Sequence, residues 1–463
     1  MTYLKLILGA ATAIALTACV SEPLPAPAPE ALVETIAEPD MVVDVHKGDF
    51  AEIQHFVTPG GVSVWLVSEP SIPILSLEMA WRGGETSDPE GLEGLSDSVV
   101  YSMNEGAGDL DSLAFQTRME ELNMSFGCSA GNDWTSCSSS MLTENATDAM
   151  DLIATAFAAP RFDDGPFERF QRENLISIKQ RETSANWLAR TAMADALYPD
   201  HPYARQTSVE SISALTPALA RDQMRKLMVK DRMLVTAVGA ITPEELAQMI
   251  DKAVAGLPDT SEIAAVADIA LPAAPAEPIL VDLPQPQSLV SFSAPGLKRD
   301  DPDFFTAYVL NYTVGGGGFE SRLMKTLRIE KGLTYGIYTG LSNSDHLDTW
   351  RGGGQTKNES AGEFLTGIHD ELNQLVADGV TPEELDDAKA YLTGSYALGF
   401  DSNAKIADQM MGVRKEELGI DYFDTRNAKI GAVTLDDVNR VAKAYLSPEK
   451  FTFVIVGEPE GIE

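Results

Sequence analysis

Basic residues are scarce: 34 Lys and Arg stand against 70 Asp and Glu, for a net charge of −36. So acidic a surface repels phosphate backbones, which excludes nucleic acid as a partner and favours basic ligands by long-range attraction. Long apolar runs are lacking too. The stretch at the N-terminus, Leu6 to Ala18 after the single basic Lys5, is too short to span a bilayer as a helix and reads as an export signal. Histidine is rarer still. His46, His55, His201, His346 and His369 include no pair at helical spacing, so two histidines on one helix face are not available to a zinc ion. What is present, 44% hydrophobic residues in 463, is enough for more than one core.

The three cysteines have two settings. Leu16-Thr17-Ala18-Cys19 closes the export signal and resembles a bacterial lipobox, in which cleavage leaves the cysteine as the lipid-modified first residue. Residues 1–19 are therefore expected to be a lipoprotein signal peptide. Residues 20–47, opening with a run rich in Pro, Ala and Glu, are expected to be a tether. Acyl chains on Cys19 would hold the chain to a membrane without a transmembrane helix, on the periplasmic face. Val20 and Ser21 lack the aspartate associated with inner-membrane retention, which favours the outer membrane. The other two cysteines lie in "MSFGCSAGNDWTSCSSSML", where alternation on both sides of Asn132-Asp133 predicts a β-hairpin. A turn centred there sets Cys128 opposite Cys137, within reach of a disulfide worth about 2 to 3 kcal/mol for so short a loop. Gly127-Cys128-Ser129-Ala130-Gly131 matches the G-x-S-x-G elbow, but the strand alternation that follows leaves no helix for it.

The chain repeats itself. Thr216 and Thr434 each open a helical pattern, Gly239 and Gly457 each end the strand that follows, and both pairs are 218 residues apart. The same offset lays Ser184 on Ser402 and Ala189 on Ala407. Repeats of this length are domains rather than solenoid units. Alternating strands (61–67, 74–81, 289–294, 451–456) mixed with helical patterns (113–122, 146–158, 364–377, 385–397) predict an α+β fold: two homologous domains, each a largely antiparallel sheet with helices packed on it. The expected boundaries are 48–256 and 279–463, with the Ala- and Pro-rich 257–278 as linker. Thr381-Pro382-Glu383-Glu384 reads as a capped helix start rather than a calcium loop.

The second domain contains "VGGGGFESRLMKTLRIEKGLTYGIY". A signal-bearing chain of two homologous domains with that string resembles the insulinase-like, or pitrilysin-type (M16), metallopeptidase family, in its small-subunit branch, over about residues 48–460. The resemblance implies half of a clam-like chamber. It also implies that Arg328 and Tyr335 reach towards a peptide held at a zinc site elsewhere: a guanidinium offers forked donors to a carbonyl, and a phenol can donate to the oxyanion of water attack. Gly315, Gly316, Gly317 and Gly318 would be a glycine-rich loop beside the substrate.

Active members carry His-x-x-Glu-His in the first domain, two histidines for the metal and a glutamate for its water. Here Gly94, Leu95, Ser96, Asp97 and Ser98 stand in those places. Both histidines are lost and the carboxylate is one methylene short. The third ligand would fall near Asn174 or Leu175, with Glu173 adjacent. The chain is therefore expected to bind no zinc and to be inactive alone, as the noncatalytic, substrate-binding subunit of a heterodimer whose partner bears His-x-x-Glu-His and the zinc. A lipid-tethered scaffold without proteolytic role is the alternative.

Overall fold

The computed structural model describes residues 41–48 and 50–462; the signal segment, Cys19 and most of the tether lie outside the described residues. Strands form where the sequence alternates. In chain order they are β1 (Val43–Lys47), β2 (Glu52–Val57), β3 (Ser63–Ser68), β4 (Ile74–Arg82), the short ribbon β5 (Gly106–Ala107) and β6 (Leu110–Asp111), β7 (Ser125–Ala130), β8 (Trp134–Leu142) and β9 (Met233–Gly239). The second half supplies β10 (Ile279–Asp282), β11 (Gln287–Pro295), β12 (Thr334–Asn343), β13 (Asp348–Lys357) and β14 (Thr452–Gly457).

One sheet runs β1-β2-β3-β9-β4-β8-β7 and the other β10-β14-β11-β13-β12. The second order is the first with each strand replaced by its copy, once the added β1-β2 hairpin is set aside. Even the pairing sense repeats: β3–β9 and β10–β14 are parallel, and the other neighbours are antiparallel. Thr216 and Thr434 cap the equivalent helices Pro217–Leu227 and Leu435–Tyr445. Gly239 and Gly457 both end strands against close neighbours, where a Cβ would lie 2.8 Å from the Ile74 carbonyl oxygen and 2.7 Å from Ser288 Oγ. Thr381 and Glu384 form a reciprocal capping box at the start of helix Pro382–Gly394.

Each sheet buries one face under its own helices. Leu75, Leu77, Met79 and Trp81, alternate residues of β4, point into a core shared with helix Ala146–Ala158. The other face is covered by exchange. Helix Asn403–Lys415, from the second half, packs on the first sheet through Ala407, Met410 and Val413 against Trp65, Val67 and Val238. Helix Ala185–Leu197, from the first half, packs on the second sheet through Ala189, Met193 and Leu197 against Leu289, Val454 and Val456. Ser184 and Ser402 are the matching N-caps of these two helices. Each half thus completes the other.

Two expectations need correction. The fold starts before residue 48: Val43–Lys47, assigned to the tether, pairs along β2 from Val43↔Phe56 to Lys47↔Glu52. Its five residues are too short and too polar to stand out beside the Pro-rich run. The four glycines are not an open loop. Tyr312–Gly316 continues helix Phe304–Asn311 as a wide π-turn, and Gly318–Glu320 is a single 3₁₀ turn. The linker expected at 257–278 contains no helix or strand, yet it is tied down: the Ile269 amide donates to His346, and Arg232 donates to Ser261 Oγ at 2.8 Å.

Candidate functional site

Helix Leu95–Ser102 carries the altered motif, and its surroundings leave no place for the lost ligands. Its N-cap, Gly94, sits at φ +95, a left-handed conformation that only glycine adopts cheaply. A Cβ there would lie 2.8 Å from Ile212 Cδ1. Ser98 is buried and its hydroxyl donates to the Leu95 carbonyl at 2.6 Å. The free amides of the first turn are taken by Asp88, which accepts from Gly94 N at 3.0 Å and Ser96 N at 2.9 Å. Burial pushes the Asp88 carboxyl up to about 7 against these donors.

Asp97, where the family's glutamate would be, is half-buried, and burial raises its carboxyl while Arg181 opposes the rise. Arg181 ends helix Asp164–Arg181, the element on which the third ligand was sought; Glu173 lies exposed on the same helix. Arg181 and Arg190 sit over the Trp187 ring at 4.5 and 4.7 Å. Both guanidiniums act on Glu85, whose carboxyl is pushed up to about 7 by burial and then by Asp97 and Asp88. The positive charge beside these carboxylates therefore comes from two arginines. A zinc ion would meet like charge and find no imidazole, so the residues present do not fit it. Among the described residues no three His, Cys, Asp or Glu side chains are grouped to hold a metal.

Beyond Arg190 opens a cavity of about 930 Å³ between helix Ala185–Leu197 and the second sheet. Small residues leave the space: Ala194 from the helix, Ser291 and Ser293 from β11, Gly353 and Gly354 from β13. Tyr198, Tyr203, Tyr335 and Tyr338 line it, with Arg190, Arg205 and Arg351 facing one carboxylate, Glu85. A wall with three arginines is the reverse of what the net charge suggests. Sequence reasoning missed Arg190 and Arg351. A signal was present in the repeat: at the 218-residue offset, Arg190 corresponds to Asp408, so the charge belongs to one copy only.

Tyr335 lies near the start of β12, an edge strand, and is 86% exposed, so it is no core residue. Arg328 does not line the cavity. It belongs to the wide turn Met324–Glu330 and stacks over Phe319 at 4.2 Å, which joins it to the glycine segment. Three of those glycines have packing reasons: a Cβ would lie 2.5 Å from Thr339 Oγ1 at Gly315, 2.6 Å from Asn311 Nδ2 at Gly316 and 2.7 Å from the Tyr312 carbonyl oxygen at Gly317. Only Gly318, at φ +57, faces open space. The Cys128–Cys137 disulfide is present across directly paired positions of β7 and β8.

The family model for the peptidase M16 inactive domain matches residues 214–392. A non-peptidase homolog, YmxG, from Helicobacter pylori is 23% identical over 398 residues, covering 83% of this chain and 89% of that protein. The solved peptidase M16 inactive domain from Pseudomonas fluorescens superposes with a TM-score of 0.81 at 25% identity, covering 89% of this chain and all of that one. The periplasmic protease PqqL from Escherichia coli shares the fold with a TM-score of 0.77 at 16% identity, over 91% of this chain but 47% of its own. With glycine, leucine, serine, aspartate and serine where the zinc motif would stand, this chain resembles the noncatalytic homologues of the M16 peptidase family in sequence and fold.

Proposed function

We propose that this chain is the substrate-holding half of a two-chain M16-type peptidase. The partner supplies His-x-x-Glu-His and the zinc, and this chain supplies the facing wall. The observation that carries the reading is Tyr335: a large phenol, 86% exposed on an edge strand beside the cavity, is positioned to meet a ligand rather than to pack. Arg328, held over Phe319 at the glycine turn, is the second contact. The length of PqqL supports the arrangement, since this chain covers 47% of it and a second unit of the same size fits the remainder. In this reading Cys19 carries the lipid and the pair works on the periplasmic face of the outer membrane.

The test is a mild-detergent pull-down of the tagged chain from its native membrane, with co-purifying chains identified by mass spectrometry. A partner of similar size bearing His-x-x-Glu-His is expected. Recovery of the chain alone, or only with itself, would favour a lipid-tethered scaffold instead.

A further inference from the structure

The cavity has a chemistry that the peptide-holding role does not require. Acidic residues outnumber basic ones two to one in this chain, and most of its arginines are used up in ion pairs or in hydrogen bonds to carbonyls. Arg190 and Arg351 are different. Both are exposed residues of the cavity wall, and neither has a carboxylate within 4.0 Å among the described residues; Arg190 lies over the flat face of Trp187 at 4.7 Å. They come from opposite walls, Arg190 from the exchanged helix and Arg351 from β13, yet both act on the Tyr198 phenol. Two unpaired guanidiniums and a phenol thus converge on one space. Arg205 is anchored to the Asp88 carbonyl at 3.1 Å and adds a third positive charge to the wall. The carboxylate on the wall, Glu85, is outnumbered by the three arginines, and with its carboxyl raised to about 7 it is only partly ionised at neutral pH and offsets them only in part.

We infer that this cavity is a carboxylate-binding site that takes an acidic peptide segment, with Arg190 and Arg351 as forked donors from opposite walls and Tyr198 as a third donor. Guanidinium matches a carboxylate through two parallel N–H bonds. The tyrosines and Leu289 on the wall give the rest of the segment an apolar surface. The word peptide rests on the role proposed above; the carboxylate site does not, because it lies wholly within this chain.

The test uses the purified full chain in mild detergent, without any partner, and reads fluorescence anisotropy. The probes are a dye-labelled hexapeptide Gly-Ser-Glu-Ala-Glu-Ser, its C-terminally amidated form, and the counterpart with lysine in place of glutamate. The glutamate peptide is expected to bind, more weakly as salt rises, and any binding of the lysine peptide, which the acidic surface attracts, is expected not to respond to Arg351→Gln. Equal binding of the amidated form assigns the side-chain carboxylates; its loss assigns the C-terminal carboxylate. Arg351→Gln, at an exposed position, should weaken binding about tenfold, and Arg190→Gln with Arg351→Gln further still. Lysine-peptide binding that Arg351→Gln weakens as much as it weakens glutamate-peptide binding would overturn the inference. So would unchanged affinity in Arg351→Gln, which decides the matter alone if the double variant melts early. Absence of a zinc-bearing partner leaves this outcome untouched, which separates the two readings.

Discussion

The two exchanged helices began as copies and have parted. Helix Asn403–Lys415 seals the first sheet: Met410 is buried, and Arg414 hydrogen-bonds Ser63 O, Val235 O and Ser63 Oγ while lying over Trp65 at 5.2 Å. Helix Ala185–Leu197 covers the second sheet incompletely, with Ala192 where its copy has Met410, and Arg190 exposed beside a cavity. Arg414 spends its hydrogen bonds inside the fold, whereas Arg190 makes no hydrogen bond or ion pair among the described residues and lies over Trp187. At the 218-residue offset one helix seals its sheet and the other leaves a cavity over its own.

That difference has measurable sides. Arg414→Ala leaves two carbonyls without their donor and a gap over Trp65, and should cost about 2 to 4 kcal/mol in urea unfolding. Arg190→Ala should cost under about 1 kcal/mol, in the range of surface changes. Equal costs would erase the contrast. The hairpins differ likewise: β7–β8 is stapled and β12–β13 is not. Replacing Cys128 and Cys137 by serine should remove about 2 to 3 kcal/mol, read as a lower urea midpoint.

Rebuilding the zinc motif should fail. Gly94→His with Ser98→His is expected to lose about 1 to 3 kcal/mol, since residue 94 has a positive φ and its Cβ meets Ile212. Calorimetric titration with zinc should show no stoichiometric site. Tight binding at one ion per chain would mean that the arginines had not replaced the metal.

The smallest effect concerns pH. The Glu85 carboxyl is raised to about 7 from the ordinary glutamate value of 4.5, so the folded chain holds a proton there that the unfolded chain has released, and stability falls as pH rises between those values. Glu85→Gln should leave stability at pH 4 unchanged and raise it at pH 8 by under about 1 kcal/mol, because the side chain is open to solvent on one side. A loss at pH 8 would reverse the sign and place Glu85 in a stabilising ion pair.

Much of the fold was legible because duplication writes itself into spacing. The 218-residue offset joined Ser184 to Ser402 and Thr216 to Thr434, and all four proved to be helix N-caps. Alternation about Asn132-Asp133 paired Cys128 with Cys137 because register in a tight hairpin is arithmetic. The exchange of helices was not legible. An amphipathic pattern such as Ala407, Met410, Met411 says that one face is buried, but not against which sheet. The cavity was hidden for a related reason: Arg190 and Arg351 lie far apart in sequence, and net charge averages over a surface that the fold divides. The glycine run misled because glycine serves close packing as readily as an open turn.

If this chain holds peptide for another chain's zinc, then peptide turnover by the chain reconstituted with a His-x-x-Glu-His partner depends on Arg328 and Tyr335. Arg328→Ala with Tyr335→Phe should cut kcat/KM by about a hundredfold or more, as loss of donors to a developing oxyanion does, while leaving the pair assembled by size-exclusion chromatography. Unchanged turnover by an intact pair would contradict it and leave Arg328 and Tyr335 as inherited structure.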